Sequence, residues 1–273
     1  MTDRYAVFGN PLSHTKSPLI HMTFARDTGE DIDYGKIETP LDGFDTSVAA
    51  FRAAGGRGIN ITAPFKLEAY ALATRRMPRA DCAGASNCLK FAADGIIAEN
   101  FDGIGLVRDI ERNLGVPLAG KRVLMLGAGG AARGALLPLI EARPARLTIV
   151  NRTRSKADTL QNQFARFGDI DVKDGDEVGQ SPFDVVLNAT SASLRGELPA
   201  FAGGAVAPGC VAYEFVYGKG LTPFLQFARS AGATKLADGV GMLVEQAAEA
   251  FAWWRGKRPE TASLISDLTI PLT

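Results

Sequence analysis

The sequence predicts an α/β protein of two domains: an N-terminal α/β domain, then a doubly wound sheet that is mostly parallel. Three observations predict it. The chain has 273 residues, and domains run at about 150 residues each. Beyond residue 120, short apolar strands alternate with helical stretches, the pattern of an open parallel sheet. The helix expected over 240–255 is apolar on more than one side, so it should pack between the domains and complete the first one. The expected division is 1–102 together with 240–273, and 103–239.

Each element has a local reason. Tyr5–Phe8 is an apolar run closed by the breakers Gly9, Asn10 and Pro11, hence a strand. A helix should follow, with Ser17 as N-cap, Pro18 in the first turn and Gly29 as its stop. Residues 58–62 alternate apolar and polar and end at Ala63-Pro64, with Lys66 just beyond. After Asp102-Gly103, Leu106, Ile110 and Leu114 recur at helical spacing until Gly115 and Pro117 end the helix. Strands are expected at 123–126, 147–150, 184–187, 211–213 and 234–236. In the last long helix Val240, Leu243, Val244, Ala247, Phe251 and Trp254 share a face, and Met242, Ala250 and Trp253 form a second apolar edge. Glu245 and Glu249 are its expected wet positions.

Composition narrows the function. Thirty Lys and Arg balance thirty Asp and Glu, which argues against nucleic acid or an anionic membrane as partner. Only two histidines occur, His14 and His21, so a three-histidine metal centre is excluded, and no metal is expected. The three cysteines, Cys82, Cys88 and Cys210, are an odd count without C-x-x-C spacing and read as reduced thiols of a cytoplasmic protein. The longest stretch free of charged residues, 198–213, carries prolines and glycines and falls short of the roughly 20 apolar residues of a membrane span.

Gly127-Ala128-Gly129-Gly130-Ala131-Ala132 follows an apolar strand and opens a helix, the form G-x-G-x-x-A. The first glycine permits the tight turn, the second lets backbone approach a pyrophosphate, and the small third residue lets helix pack on strand. The helix N-terminus adds amide donors and a partial positive charge. A tight strand–helix turn is the plainer reading of six residues alone; the strand–helix–strand context favours a Rossmann-type dinucleotide site. The next strand ends at Asn151, Arg152, Thr153, Arg154, Ser155 and Lys156, with no acid to hold ribose hydroxyls. A guanidinium binds a 2′-phosphate that a carboxylate would repel, so NADP is expected over NAD; an exposed basic helix start is the alternative. Thr190, Phe215, Tyr217 and Gly239 lie at other strand ends, where an open sheet places its ligand, although turn chemistry explains any one alone.

A nicotinamide supplies a hydride, so the protein must orient a substrate and move a proton. Lys66 follows a stiff Ala-Pro strand end, and Asp102 stands at the mouth of the next helix. Together they could hold and pass one proton; separately, they are a surface charge and a helix N-cap. Thr15 and Ser17 beside a helix N-terminus suit a substrate carboxylate, or Ser17 is a plain cap. Gln246, on an apolar edge, needs hydrogen-bond partners that are either substrate hydroxyls or backbone.

An ordered set of motifs, covering nearly the whole chain, resembles the shikimate dehydrogenase family. They are YAVFGNPLSHTKSP (5–18), NITAPFK (60–66), GASN (84–87), NFDG (100–103), GAGGAA (127–132), NRT (151–153), NATS (188–191), TPF (222–224) and DGVGMLVEQ (238–246). The resemblance implies NADP-dependent reduction of 3-dehydroshikimate to shikimate in an interdomain cleft, in a monomer or homodimer whose partner is a small molecule. It implies Lys66 and Asp102 as the catalytic pair. Substrate contacts would fall at Thr15, Ser17, Thr62, Asn87, Asn100, Tyr217 and Gln246. Cofactor contacts would fall at Gly127, Ala128, Gly129, Gly130 and Ala131, at Asn151, Arg152, Thr153 and Lys156, and near Thr190, Phe215 and Gly239. Several positions depart from the family's usual pattern: Phe101 and Cys88 for Thr, Ser193 for Gly, Thr15 for Ser, and Glu214 for Asp. Phe101, beside Asp102, bears on rate and substrate choice. The alternatives are a quinate/shikimate dehydrogenase of relaxed substrate or cofactor choice, and an NADP-binding regulatory protein without turnover.

Overall fold

The apolar run Tyr5–Phe8 forms the middle of β1 (Asp3–Gly9) in the computed structural model, which describes residues 2–272. There follow α1 (Ser17–Thr28), β2 (Ile32–Glu38), α2 (Phe44–Ala53), β3 (Gly56–Ile61), α3 (Lys66–Leu72), β4 (Arg75–Arg76), α4 (Pro78–Ala83), β5 (Cys88–Ala92), β6 (Gly95–Glu99) and α5 (Asp102–Arg108). The second half holds β7 (Arg122–Leu126), α6 (Gly130–Glu141), β8 (Arg146–Val150), α7 (Arg154–Phe164), β9 (Asp171–Lys173), β10 (Phe183–Asn188), β11 (Val206–Glu214), α8 (Pro223–Ser230), β12 (Lys235–Ala237), α9 (Val240–Arg255) and α10 (Ala262–Leu268). The chain divides into two units, residues 1–105 with 244–264, and residues 106–243 with 265–273. The last residues therefore belong to the second unit, where Leu272 packs on the core, although the sequence assigns all of 240–273 to the first.

In the first unit a six-stranded sheet runs β2-β1-β3-β5-β6-β4. β1 pairs in parallel with β2 and β3, while β5 is antiparallel to β3 and β6. One face is covered by an aromatic cluster of Phe8, Phe44, Phe51 and Phe65. Residues of α9 pack on α1 and β1 in the same unit: Phe251 meets Phe24 of α1, and Trp254 stacks on Tyr5 of β1 at 4.6 Å. Trp254 Nε1 donates to the Leu89 carbonyl at 3.1 Å. Position 58 must be glycine, because a Cβ there would lie 2.6 Å from Trp254 Nε1 and 2.7 Å from the Leu89 carbonyl oxygen.

In the second unit the order β12-β11-β10-β7-β8-β9 is parallel throughout. The chain starts in the middle at β7, winds outward to β9, then returns beside β7 with β10, which is the doubly wound topology. All the carboxyl ends therefore share one edge. β11 is longer than expected because Pro208-Gly209, with Gly209 at φ 81°, bulges out between Val206 and Val211, the residues that pair with Phe183 and Val185.

Four local expectations are corrected. Ser17 is the first helical residue, with Lys16 at the cap position, and the Ser17 amide donates to Thr15 Oγ1 at 3.3 Å. The helix after Asp102 stops at Arg108 and widens into a π-turn, Asp109–Asn113. Glu245 is buried, not wet: Arg258 pairs with it, and Thr261 Oγ1 donates to it at 2.6 Å. Arg258 also pairs with Glu249 at 2.8 Å. A polar residue inside an apolar face signals a partner supplied from elsewhere in the chain.

His21 lies wholly inside the first unit, stacked on Tyr34 at 4.2 Å. Neither ring nitrogen makes a hydrogen bond of good geometry, although the Asn60 side chain lies beside the ring and favours its charged form. Burial pushes its pKa down from 6.5 to about 3, so the unfolded chain takes up a proton that the folded one refuses. The stability His21 contributes is complete above pH 6.5 and is lost as pH falls toward 3, by roughly 1.4 kcal/mol per unit. His21→Phe should flatten the acid limb of a urea-denaturation series across that range. An unchanged acid limb would contradict a neutral buried imidazole.

Candidate active site

The first polar cluster grows from the carboxyl end of β3. Phe65 is fully buried and stacks on Phe44 at 5.1 Å. That anchor sets the start of α3, so the next residue, Lys66, leaves a fixed point. Lys66 Nζ donates to Asp102 Oδ2 at 2.5 Å, with side-chain exposures of 32% and 11%. The other carboxylate oxygen accepts from Asn87 Nδ2 at 2.7 Å. Asp102 begins α5, but its carboxylate does not cap that helix; Asn100 Oδ1 accepts from the Asp102 amide at 3.1 Å instead. A carboxylate this enclosed needs strong donors, charged or neutral, to offset lost hydration. Lys66 and Asn87 supply them.

Asn87 is the hub of the cluster. Its Nδ2 also donates to Gln246 Oε1 at 3.1 Å, and its Oδ1 accepts from the Phe101 amide at 2.9 Å. Asn100 is held from both sides: Nδ2 donates to the Ala85 carbonyl, and its backbone amide donates to Glu99 Oε1 at 2.8 Å. Glu99 is itself buried against Arg79 at 2.7 Å, and burial still pushes its carboxyl above the ordinary range. The Phe101 ring is buried between Trp253, at 5.7 Å, and the Arg79 guanidinium, at 5.5 Å.

A polar line reaches from the cluster toward α1. Asn60 Nδ2 donates to the Asn87 carbonyl at 3.4 Å, and Tyr34 OH donates to Asn60 Oδ1 at 2.7 Å. Burial pushes the Tyr34 phenol up, and the Ser17 hydroxyl beside it tempers the shift. Thr15 and Ser17 meet through their hydroxyls at 3.3 Å. Thr62 is half-buried, its methyl so near Gly9 that a Cβ there would lie 2.3 Å away. Thus Lys66, Asp102, Asn87, Asn100 and Gln246 form one bonded set, which Asn60 and Tyr34 extend toward Thr15 and Ser17. Sequence reasoning did not name those two linkers. The polar position inside the alternating strand 58–62 is the signal that could have found Asn60. Tyr217 belongs to the second unit, on the loop after β11, and is 37% exposed.

The second cluster lies along the carboxyl edge of the parallel sheet. Gly127, at φ 109°, makes the turn out of β7, and its amide donates to the Val150 carbonyl at 2.7 Å. A side chain at Gly129 or Gly130 would meet nothing within 4 Å, and neither φ is positive. The chain's own packing therefore does not demand glycine there, whereas a ligand lying against bare backbone would. Ala132 is fully buried, which keeps α6 close to the sheet. Asn151 joins the turn to the end of β8: Oδ1 accepts from the Ala128 amide at 3.1 Å, and Nδ2 donates to the Thr153 carbonyl at 2.8 Å. Arg154 is engaged by Asp174 at 2.8 Å, whereas Arg152 and Lys156 are exposed and make no ion pair among the described residues. No acid stands at this strand end. These groups fit a phosphorylated dinucleotide.

The remaining strand ends converge beside the turn. Thr190 donates through N and Oγ1 to Asn188 Oδ1 at 3.1 and 2.7 Å, and the Phe215 amide donates to the Asn188 carbonyl at 3.0 Å. Gly239 lies so close that a Cβ would sit 2.2 Å from the Phe215 carbonyl oxygen. Asp238 accepts from the Gly218 and Val240 amides, tying that loop to the start of α9. Among the described residues no group of His, Cys, Asp and Glu could hold a metal ion.

Asn87→Ala would leave the buried Phe101 amide and one Asp102 oxygen without a partner, at a cost of about 2–3 kcal/mol. Urea unfolding should read that loss; a smaller change than about 0.5 kcal/mol would deny Asn87 its central place.

Comparison with known proteins identifies the family. Family models match three stretches: the shikimate dehydrogenase substrate binding domain over residues 7–89, shikimate / quinate 5-dehydrogenase over 109–195, and the shikimate 5'-dehydrogenase C-terminal domain over 239–264. A shikimate dehydrogenase (NADP(+)) of Nitrosospira multiformis is 56% identical over 268 residues, covering 98% of each chain. The crystal structure of an Ael1 enzyme from Pseudomonas putida superposes with a TM-score of 0.95 at 56% identity, over 100% of both chains. Shikimate 5-dehydrogenase from Thermus thermophilus, solved with NADP(H) and shikimate, gives a TM-score of 0.86 at 28% identity over 97% of this chain and 98% of that one. With identity above one half along almost its entire length, the chain belongs to the shikimate dehydrogenase family.

Proposed function

We propose that the protein catalyses the NADP-dependent, reversible reduction of 3-dehydroshikimate to shikimate. The observation that carries this reading is the ion pair of Lys66 and Asp102, braced by Asn87. Bound NADPH would supply a hydride to the substrate's carbonyl carbon. Lys66 would give its proton to the carbonyl oxygen as charge develops there. Asp102 keeps the ammonium oriented between turnovers. Thr15 and Ser17, at the start of α1, would take the substrate carboxylate through their hydroxyls. Thr62, Asn87, Asn100, Gln246 and Tyr217 would bind ring hydroxyls. The cofactor would lie along Gly127–Ala131, its 2′-phosphate on Arg152, Thr153 and Lys156 with Asn151 shaping the turn, and its nicotinamide end near Thr190, Phe215 and Gly239.

Initial rates with shikimate and quinate, each with NADP and NAD, test the substrate and cofactor together. Shikimate with NADP should give the highest kcat/KM by at least about tenfold. The exposed Arg152 and Lys156 disfavour the relaxed-cofactor reading, and an intact Lys66–Asp102 pair disfavours a binder without turnover. The balanced charge argues against nucleic acid as partner. Among the described residues no helix is long and apolar enough to cross a membrane, and three buried cysteines that form no disulfide suit the cytoplasm. A monomer or homodimer is proposed.

Lys66→Ala should lower kcat by about 100-fold or more while changing the KM for shikimate far less, since proton transfer belongs to the transition state. Near-normal turnover would remove Lys66 from the chemistry. Arg152→Ala should raise the KM for NADP by about tenfold and leave that for NAD nearly unchanged, because the lost hydrogen bonds are charge-assisted ones to the 2′-phosphate. Equal effects on both cofactors would place the phosphate elsewhere.

A further inference from the structure

Ser193 and Glu214 are 21 positions apart in sequence and in direct contact. Ser193 Oγ donates to Glu214 Oε2 at 2.5 Å. The Glu214 side chain is wholly buried, and it makes no ion pair among the described residues. Its other donors are neutral: Asn188 Nδ2 at 3.1 and 2.9 Å, Thr222 Oγ1 at 3.2 Å and the Val216 amide at 3.3 Å. Burial pushes its carboxyl up, and these donors pull it back.

What the carboxylate touches decides what it does. Asn188 ends β10, and its amide is oriented by Glu214: with Nδ2 turned to the carboxylate, Oδ1 faces the opposite way and accepts both the amide and the hydroxyl of Thr190. Thr190 in turn adjoins the glycine turn, since a Cβ at Gly127 would lie 3.1 Å from its Cγ2. Val216 sits between Phe215 and Tyr217. Ser193 belongs to the short turn Ala192–Arg195, and Thr222 caps α8. One side chain therefore ties together four segments, and those segments carry Thr190, Phe215 and Tyr217.

We propose that Glu214 and Ser193 act as one positioning unit that holds the nicotinamide end of the cofactor site in register. The pair is interdependent because of reach. An Asp at 214 would withdraw the carboxylate by one carbon–carbon bond, about 1.5 Å, and part it from the Ser193 hydroxyl. A Gly at 193 would leave the longer Glu214 without its shortest donor. Neither residue would touch the cofactor; both act through Asn188 and the backbone of 214–216. The proposal rests on the cofactor placement of the preceding subsection.

The test is a double-mutant cycle of Ser193→Ala, Glu214→Asp and the double variant, with thermal melts confirming folding. Fluorescence titration reads the Kd for NADPH, and steady-state rates read the KM for NADP and for shikimate. Each single change should weaken NADPH binding by about fivefold or more and raise the KM for shikimate by a clearly smaller factor, through the loop that carries Tyr217; the double variant should be no more than about twofold worse than the poorer single. Effects that multiply in the double variant, or an unaltered Kd, overturn the unit. Parallel losses for NADPH and shikimate also overturn it, because they report general loosening. Should Glu214→Asp fail to fold, Ser193→Ala decides alone by the same Kd against KM comparison. A wild-type protein that does not bind NADPH would sink the cofactor reading itself, a different outcome from any of these.

Discussion

A carboxylate out of water must be satisfied by its surroundings, and the first unit is organised around one. Asp102 is held by the Lys66 ammonium and the Asn87 amide. The rest of the cluster exists to keep those three side chains in place. Asn100 takes over the capping duty that would otherwise turn Asp102 toward its own helix, and Phe65 anchors the turn from which Lys66 departs. Leaving the Asp102 carboxylate unpaired at this depth would cost several kcal/mol. The arrangement binds lysine and aspartate in one geometry.

The second unit meets a related demand with neutral groups. Glu214 is enclosed and makes no ion pair among the described residues, so its charge is spread over the amide of Asn188, the hydroxyls of Ser193 and Thr222, and a backbone amide. Both units set polar networks at the carboxyl ends of strands. Helix and sheet hydrogen bonding ends there, so side chains must satisfy the free backbone groups. Such networks are rigid when complete, and rigidity is what positioned catalysis requires.

Much of the fold was legible. Apolar strands beyond residue 120, a glycine turn after the first of them and a doubly apolar helix at 240–255 are local signals, and each became the expected element. The elements at 32–53 and 67–99 went unread. β4 has two residues, and the β5–β6 hairpin turns through Ala93-Asp94 with little periodicity to mark it. Glu245 was misjudged because its partners, Arg258 and Thr261, come from beyond the helix. Lys66 and Asp102 were named from sequence; Asn60 and Tyr34 were not, because a buried asparagine and tyrosine look like ordinary strand residues until their partners are known.

The sequence by itself determined which residue types were present to act: a lysine after a stiff strand end, glycines where backbone must be bare, cations without an accompanying acid after the second strand of the parallel sheet, and hydroxyls at a helix start. These are local properties, written in spacing and side-chain chemistry. Only the tertiary structure decided which of them meet. Lys66 and Asp102 are 36 residues apart, Asn87 and Gln246 are 159 apart, and Ser193 and Glu214 are 21 apart. No periodicity encodes such pairings. They follow from strand register and helix packing, which arise from the burial of the whole apolar surface and not from any one segment.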